Sequence, residues 1–232
     1  FKKTQPQFSA QYYDLTGLGD TLTVSFQGST STLQIGDGCR GGARCLWGGK
    51  GDSIDSTLTR RFDLYGLTAA TLEFDLWHDI ERGWDYAYVE ISENDGQTWD
   101  IVKGSHSTGY NPSGNAYGHG YTGSSGVWVD EFVDLTPYVG GEVLVRFEYV
   151  TDDAAHLDGL AIDNIAIPEL GFMDDAESSA GWEAHGFIRI DGTLPQLFAV
   201  QLVEVFGDNT FQVTPMELDK NNVGELVITG LG

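Results

Sequence analysis

Residues 71–91, TLEFDLWHDIERGWDYAYVEI, contain two alternating apolar patterns on either side of a short acidic turn. Apolar side chains occupy every second position from Leu72 to Leu76, and again from Ala87 to Ile91. A period of two is the signature of a β-strand with one buried face. We therefore predict two half-buried strands in this stretch.

The turn between these strands is crowded with negative charge. It holds Asp79, Glu81 and Asp85, and Arg82 is the only cation among them. Like charges so close in sequence repel one another, so the carboxylates must be solvated, protonated or bound to a cation. The turn is a binding site only if the third of these states, binding to a cation, applies.

The whole chain is strongly acidic, because its 232 residues include 12 basic and 35 acidic side chains, for a formal net charge of −23. A nucleic-acid partner is not expected, since phosphate binding needs clustered Lys and Arg. No apolar run approaches the roughly 18 residues of a membrane span, so membrane insertion is not expected either. Such acidity is typical of secreted or cell-surface proteins, halophile proteins and calcium binders.

Strand-like segments recur along the chain between turn-forming residues, and helical periodicity is nearly absent, as is typical of an all-β sandwich. The segments are 20–26, 56–62, 71–77, 84–92, 127–135, 142–150 and 160–167. We predict an N-terminal extension over 1–19, an antiparallel jelly-roll β-sandwich over 20–170 and a second, smaller β unit over 171–232. The second unit is too short to bury a large core alone, so we expect it to pack on the first or to need residues beyond Gly232.

The two cysteines, Cys39 and Cys45, lie in the Gly-rich segment GDGCRGGARCLW. A disulfide closing this short loop is favoured and implies an oxidising compartment. The alternatives are two free thiols or half of a metal site. A zinc site would need further ligands, and no His or other Cys lies close in sequence.

A conflict of parity appears in AIDNIAI (161–167), where Asp163 falls on the same face as Ile165 and Ile167. An ionised carboxylate at a core-facing position is costly unless it is paired or coordinated. A β-bulge at Asp163–Asn164 would turn the side chain outward, whereas a bound cation or a local hydrogen-bond network would keep it inside. We favour the cation, because the nearby pair Asp152 and Asp153 adds oxygen ligands of the kind that calcium prefers.

We therefore predict a structural calcium (Ca2+) site that is assembled across the fold, since no contiguous D-x-D-x-D-G loop is present. GKGDSID (49–55) supplies a further pair of carboxylates next to Gly-rich backbone. The candidate ligands are Asp52, Asp55, Asp79, Glu81, Asp85, Asp152, Asp153 and Asp163.

The segment SENDGQTW (92–99) resembles the Asp-box hairpin, in which Asn and Asp side chains cap the turn backbone and a Trp folds over it. Its residues are those that accept local amide hydrogen bonds in turns. We predict a structural role for this hairpin.

Aromatic residues form a second set of candidates. The long loop 104–126 is rich in Gly, Ser, Asn and Tyr, and is either a crossover between sheets or a functional loop. Trp47, Tyr110, Tyr117 and Tyr121 are candidate ligand-binding residues whose rings would stack on a glycan, and the alternative is core or loop packing. The parity of Trp77 is opposite to that of the core-facing run, which predicts an exposed ring.

No catalytic constellation is recognisable, so the chain is not expected to be an enzyme by itself. The segment His78-Asp79-Ile80-Glu81 lacks the second His of H-E-x-x-H, and neither a G-x-S-x-G elbow nor a P-loop occurs. The five His residues are scattered singly.

Four phrases in order resemble immune inhibitor A type secreted metallopeptidases, in the region that follows their catalytic domain. They are LTRRFDLYGLTAATLEFDLWHDIERGWDYAYVEISENDGQTW, NPSGNAYGHGYTG, WVDEFVDLTPYVGGEVLVRFEYVTDD and GLAIDNIAIPELGFMDDAE. The resemblance covers roughly residues 20–206 and implies a MAM-like β-sandwich followed by a further β domain. Similar jelly-roll modules bind structural calcium. The zinc site of these peptidases lies in a separate domain, so no peptidase activity is implied, and the Cys39–Cys45 loop departs from the pattern.

The sequence thus predicts a non-catalytic, calcium-stabilised module of a secreted or cell-surface bacterial protein, the accessory region of a metallopeptidase. Its partners would be other domains of a longer parent chain. The alternatives are a self-assembling surface-layer or filament subunit, whose partners are neighbouring copies of itself, and a carbohydrate-binding module with a glycan as ligand. The first alternative rests on the polar segment 1–19, which could add as a strand to a neighbour.

Overall fold

Antiparallel strands are the main regular elements of the protein in a computed structural model, which describes residues 9–16, 19–178 and 181–230. The strands are β1 (Thr21–Gln27), β2 (Ser31–Leu33), β3 (Cys45–Trp47), β4 (Asp55–Asp63), β5 (Thr71–Asp79), β6 (Tyr86–Ser92), β7 (Asp100–Val102), β8 (Val129–Asp134), β9 (Glu142–Val150), β10 (Gly159–Ile167), β11 (Phe172–Asp174), β12 (Glu183–His185), β13 (Ile188–Ile190), β14 (Thr193–Pro195), β15 (Gln201–Val205), β16 (Phe211–Pro215) and β17 (Val223–Thr229). Two short 3-10 turns span Thr136–Tyr138 and Pro168–Leu170. Each of the seven predicted segments coincides with a strand. No helix of the described residues is long and apolar enough to cross a membrane.

The chain divides into two compact units whose boundaries differ from the predicted ones. The larger unit is Leu33–Leu194, and the smaller combines Phe1–Thr32 with Pro195–Gly232. Strand β1, predicted to belong to the sandwich, pairs with β17 in the smaller unit, whereas β11, β12 and β13 join the sheets of the larger unit. Local alternation identifies a strand but does not encode its partner, and this is why the boundaries shift. Residues 1–8 and 17–18 of the predicted N-terminal extension lie outside the described residues.

The larger unit is a sandwich of two antiparallel sheets, which confirms the predicted all-β fold class. One sheet has the order β13-β3-β10-β5-β8, with β11 also paired to β10, and the other has the order β12-β4-β9-β6-β7. Apolar side chains of both sheets form one buried core. At its centre Phe74 of β5 meets Phe147 of β9 edge to face, with the ring centroids 4.9 Å apart. Paired aromatic rings of this kind contribute beyond their buried area.

Strand β6 departs from the half-buried prediction, because all seven of its residues are buried. Its outward-facing tyrosines, Tyr86 and Tyr88, are covered by the long loop 104–126. The Tyr86 hydroxyl donates to the carbonyl oxygen of Tyr110, and the Tyr88 hydroxyl accepts from the backbone N–H of Tyr117, each at 3.0 Å. The alternation in β6 therefore marks two buried faces, of which the loop covers one.

A buried carboxylate anchors this loop to the sandwich. Glu131 of β8 is fully buried and accepts from the Tyr121 hydroxyl at 2.9 Å. It also accepts from the backbone N–H of His106 at 3.0 Å and contacts the His106 ring. Its position fixes both ends of the loop against the same strand.

Trp77 is buried rather than exposed, with 7% of its surface accessible. It belongs to a second apolar cluster on the other face of the six-stranded sheet, with Trp47, Cys45 and Ile190 among its members. Both faces of strand β5 are thus buried at its C-terminal end, each against a different apolar cluster. An alternating sequence pattern predicts only one buried face.

The hairpin at 92–99 has the structural role predicted for it. The Ser92 hydroxyl accepts from the Gly96 N–H and the Asn94 side chain accepts from the Thr98 N–H, both at 2.9 Å. Trp99 lies over Gly96 and stacks under the Arg146 guanidinium, whose Cζ is 4.0 Å from the ring centroid. Ser92 and Asn94 thus cap the turn, whereas Asp95 pairs with Arg61 of β4 at 2.5 Å.

The smaller unit consists of the β1–β17 ladder and the β15–β16 hairpin. The buried amide of Asn222 donates to the carbonyl oxygens of Ser29 and Gln196, at 2.8 and 2.9 Å. Large apolar side chains of the hairpin, such as Val205 and Phe211, are more than two-thirds exposed.

Candidate metal centre and ligand cleft

Three of the predicted calcium ligands come together at one end of the sandwich. Oxygen atoms of Glu81, Asp85 and Asp152 all lie within 4.8 Å of one another. Strands β6 and β9 are antiparallel neighbours in which Tyr86 lies opposite Val150. Asp85 directly precedes β6, and Asp152 lies two residues after the end of β9. Because the two strands are antiparallel neighbours, this pairing brings the two carboxylates to the same end of the sheet.

Asp85 is the centre of this group, which we call the carboxylate cluster (Glu81, Asp85 and Asp152). Its side chain is fully buried. One carboxylate oxygen accepts from the backbone N–H of Asp152 at 3.1 Å, and the other accepts from that of Glu81 at 3.2 Å. Burial raises the pKa of Asp85 above its ordinary value, against the effect of these two hydrogen bonds. A cation beside it would favour the ionised form.

A fully buried tyrosine adds an orphaned polar atom near the carboxylate cluster. Tyr149 has no exposed surface, and its hydroxyl has no hydrogen-bond partner among the described residues. Burial and the negative charge of Asp85 together raise its pKa. Unsatisfied buried hydroxyls of this kind are commonly completed by water or an ion. Three carboxylates and an orphaned oxygen fit a hard cation that takes oxygen ligands.

The other five predicted ligands do not join the carboxylate cluster. Asp52 contacts the ring of His156 at 2.7 Å, and Asp55 and Asp153 are exposed. Asp79 lies on β5 opposite Gly159. Five of the eight candidate ligands therefore lie away from the carboxylate cluster. Spacing in sequence could not predict this, because it does not determine which loops meet at one end of the sandwich.

Asp163 is held by a hydrogen-bond network instead of meeting Asp152. A register shift follows it in the β10–β5 ladder, as expected for a β-bulge, yet the side chain stays fully buried. Its carboxylate accepts from the backbone N–H groups of Arg40 and Asn164, at 3.0 and 2.8 Å. Burial raises the pKa of Asp163 to about 7. The predicted link between Asp163 and the Asp152–Asp153 pair is wrong. The carboxylate of Asp163 meets the backbone of Arg40 and Asn164, whereas that of Asp152 lies beside Glu81 and Asp85.

The predicted disulfide is confirmed, with 5.3 Å between the Cα atoms of Cys39 and Cys45. The loop that it closes presents Arg40, whose side chain forms ion pairs with Asp75 at 3.4 Å and Asp130 at 2.6 Å. The disulfide loop thus holds the backbone N–H that satisfies Asp163.

Removing the disulfide with the double substitution Cys39→Ser and Cys45→Ser should lower the free energy of unfolding by about 2 kcal/mol, from the loop entropy of a short closed ring. Urea unfolding measures the change. A loss smaller than about 0.5 kcal/mol would show that the loop is ordered by its ion pairs alone.

The four predicted ligand-binding aromatics divide into two pairs. Trp47 and Tyr121 are buried, with 5% and 4% of their surfaces accessible, because they pack in the two apolar clusters. Their rings therefore pack inside the protein, although Tyr121 also lines a second cleft beside His78 and His106. Tyr110 and Tyr117 are exposed, and Tyr117 has 68% of its surface accessible.

Beside the carboxylate cluster lies an open cleft of about 340 Å³. It is lined by Trp84, Tyr86, Tyr88, Gly114, Asn115, Tyr117, Val150, Thr151 and Asp152. Tyr88 stacks on Tyr86 and on Tyr117, with centroid distances of 6.1 and 5.7 Å. Trp84 lies in the acidic turn directly before Asp85, and this places its ring in the lining of the cleft.

Residues 29–192 match the family described as immune inhibitor A-like, MAM domain. The chain is 33% identical over 156 residues to "Immune inhibitor A" from Bacillus thuringiensis subsp. alesti, which covers 66% of this chain and 22% of that protein. It is 27% identical over 150 residues to "Pre-pro-metalloprotease PrtV" from Vibrio cholerae serotype O1 (strain M66-2), covering 63% of this chain and 16% of that protein. A similarity of 26% over 98 residues relates it to "Bacillopeptidase F" from Bacillus subtilis (strain 168), covering 42% of this chain and 6% of that protein.

The chain thus spans less than a quarter of the length of each of these relatives. The match at 29–192 includes the disulfide loop, both sheets of the sandwich, the carboxylate cluster and the cleft. It agrees closely with the larger compact unit, Leu33–Leu194. The chain therefore belongs to the immune inhibitor A-like MAM domain family.

Proposed function

We propose that this chain is a non-catalytic accessory module of a secreted or cell-surface metallopeptidase, and that calcium bound by the carboxylate cluster stabilises it. The observation that carries the calcium site is the approach of three carboxylates within 4.8 Å, from two loops joined through β6 and β9. The accessory role is supported by two relatives, "Immune inhibitor A" and "Pre-pro-metalloprotease PrtV", each of which is several times longer than the region matched. The disulfide supports an oxidising, extracellular location.

The module would act through its rigidity. A cation between Glu81, Asp85 and Asp152 would relieve the repulsion among three carboxylates and tie the acidic turn to the loop after β9. Both segments leave the same edge of the sheet, so their position would be fixed relative to the core. A fixed loop surface is what one domain of a longer chain needs in order to dock against another.

Direct metal binding tests the proposed site. We expect calorimetric titration to give one calcium ion per chain, and Asp152→Asn to weaken binding by about tenfold or more, since affinity follows the number of charged ligands. The matched control is Asp153→Asn, which removes the same charge from the exposed neighbour and should change the affinity little.

Equal affinities in the two variants would contradict the assignment of Asp152. No binding heat together with no calcium by elemental analysis would refute calcium at the carboxylate cluster altogether. Because Asp152→Asn removes only one carboxylate near the surface, folding is checked by comparing the circular dichroism of the two variants.

A further inference from the structure

The cleft beside the carboxylate cluster has aromatic walls. Trp84 and Tyr117 expose 47% and 68% of their surfaces. Tyr86 and Tyr88 are buried beneath them and contribute the inner lining. A volume of about 340 Å³ is enough for one long side chain or one small organic group.

The charged residue that lines this cleft is Asp152, and no Lys or Arg is among its lining residues in the described chain. Two further acids of the carboxylate cluster lie within 4.8 Å of Asp152. Glu148 of β9 lies opposite Tyr88, next to the floor of the cleft, but it is paired with Arg146 at 3.4 Å and adds no free negative charge. With a net charge of −23 for the whole chain, the field at this cleft attracts cations and repels anions.

The hydrogen-bonding groups of the cleft are largely occupied. The hydroxyls of Tyr86 and Tyr88 already bond to the backbone of the covering loop. Asn115, Thr151 and Asp152 are the remaining polar side chains of the lining. A sugar ring needs hydrogen-bond partners for several hydroxyls, and the cleft offers few of them. A delocalised cation needs only aromatic faces and a carboxylate, which the cleft does offer.

We propose that this cleft binds a guanidinium or ammonium side chain of a partner polypeptide, stacked against Trp84 and Tyr117 and paired with Asp152. An arginine fits best, because its planar head stacks on aromatic rings and pairs with a carboxylate at the same time. The site is distinct in chemistry from the proposed calcium site, although both use Asp152. Calcium at the carboxylate cluster would reduce the negative charge, so the basic side chain should bind more tightly when calcium is removed.

The probe is N-acetyl-arginine amide, titrated by NMR into the full chain in buffers with calcium and with EGTA. We expect a Kd in the millimolar range and shifts of the Trp84 indole signal. The matched neutral probe is N-acetyl-citrulline amide, which has almost the same shape without the charge and should bind at least threefold more weakly. Tyr117→Ala keeps the backbone N–H that bonds Tyr88 and should weaken arginine binding about threefold to tenfold.

Tyr65→Ala is the control variant, because Tyr65 is also about two-thirds exposed and does not line the cleft. Equal binding of the citrulline probe, or an equal loss in the Tyr65 and Tyr117 variants, would overturn the proposal. Saturable binding of glucose at Trp84 without binding of arginine would overturn it in favour of a sugar. If arginine binds in EGTA but calcium does not bind at all, the cleft proposal stands and the calcium proposal fails.

Discussion

Removal of calcium should lower the melting temperature of this protein by roughly 5–10 °C, if calcium is present at about a hundred times its Kd. Ligand bound only to the folded state stabilises by RT ln(1 + [L]/Kd), about 2.7 kcal/mol at that excess. For a chain of this size, each kcal/mol shifts the melting temperature by about 2–4 °C. The measurement is thermal unfolding by circular dichroism in calcium and in excess EGTA.

The variant Asp85→Asn separates a specific site from a general effect of ionic strength. It keeps the shape of the buried side chain but removes the charge at the centre of the carboxylate cluster. We expect its melting temperature to be nearly the same in calcium and in EGTA. The variant Asp163→Asn, which lies outside the carboxylate cluster, should still respond to EGTA. If wild type melts identically in both buffers, calcium does not stabilise this module.

The stability of the calcium-free protein should rise as the pH falls from about 8 to about 5. Burial raises the pKa of Asp163 to about 7, and burial with the charge of Glu90 raises that of Glu148 to about 7 as well. Between the ordinary carboxyl pKa near 4 and this value, the folded state binds more protons than the unfolded state. The stabilisation that these two groups contribute is therefore fully present below about pH 4 and is lost as the pH rises through 7.

For Asp163 alone, the effect is up to roughly 3 kcal/mol between pH 5 and pH 8, since one unit of pKa shift corresponds to about 1.4 kcal/mol. Other groups act in the opposite sense. Burial lowers the pKa of His78, so this group destabilises the folded state as the pH falls below about 6.5. Hydrogen bonds from Thr136 lower the pKa of Asp134, which has its effect only at lower pH. The experiment is urea unfolding in EGTA across this pH range, with wild type and Asp163→Asn side by side.

The amide of Asp163→Asn does not titrate, so the unfolding free energy of wild type minus that of this variant should fall as the pH rises from 5 to 8. The control is Asp153→Asn, an exposed position, for which the difference should stay constant with pH. A constant difference for Asp163→Asn as well would show that Asp163 is already ionised at pH 5, with its charge satisfied by the N–H groups of Arg40 and Asn164.

Much of the local structure follows from sequence patterns alone. The alternation at Leu72–Leu76 predicts β5, the turn chemistry of 92–99 predicts the hairpin, and the two closely spaced cysteines predict their disulfide. These features depend on residues that are near one another in the chain. Their energetics are therefore visible in a short stretch of sequence.

The sequence predicted only part of the carboxylate cluster. The acidic turn with Glu81 and Asp85 stands out in the sequence, but its partner could equally have been Asp163 or Asp152. The β6–β9 pairing selects Asp152, which is separated from Asp85 by 67 positions. The same kind of long-range pairing removes β1 from the sandwich by placing it against β17.

Only the tertiary structure shows that the second face of a strand is buried as well. The alternation of β6 predicts one solvated face, yet loop 104–126 covers Tyr86 and Tyr88 and forms the aromatic cleft with Trp84. The sequence by itself determined the strands, the acidic turn, the hairpin and the disulfide, because these depend on local spacing. Only the tertiary structure decided which strands pair, which carboxylates meet and which aromatic rings stay exposed, because these depend on contacts between residues far apart in the chain.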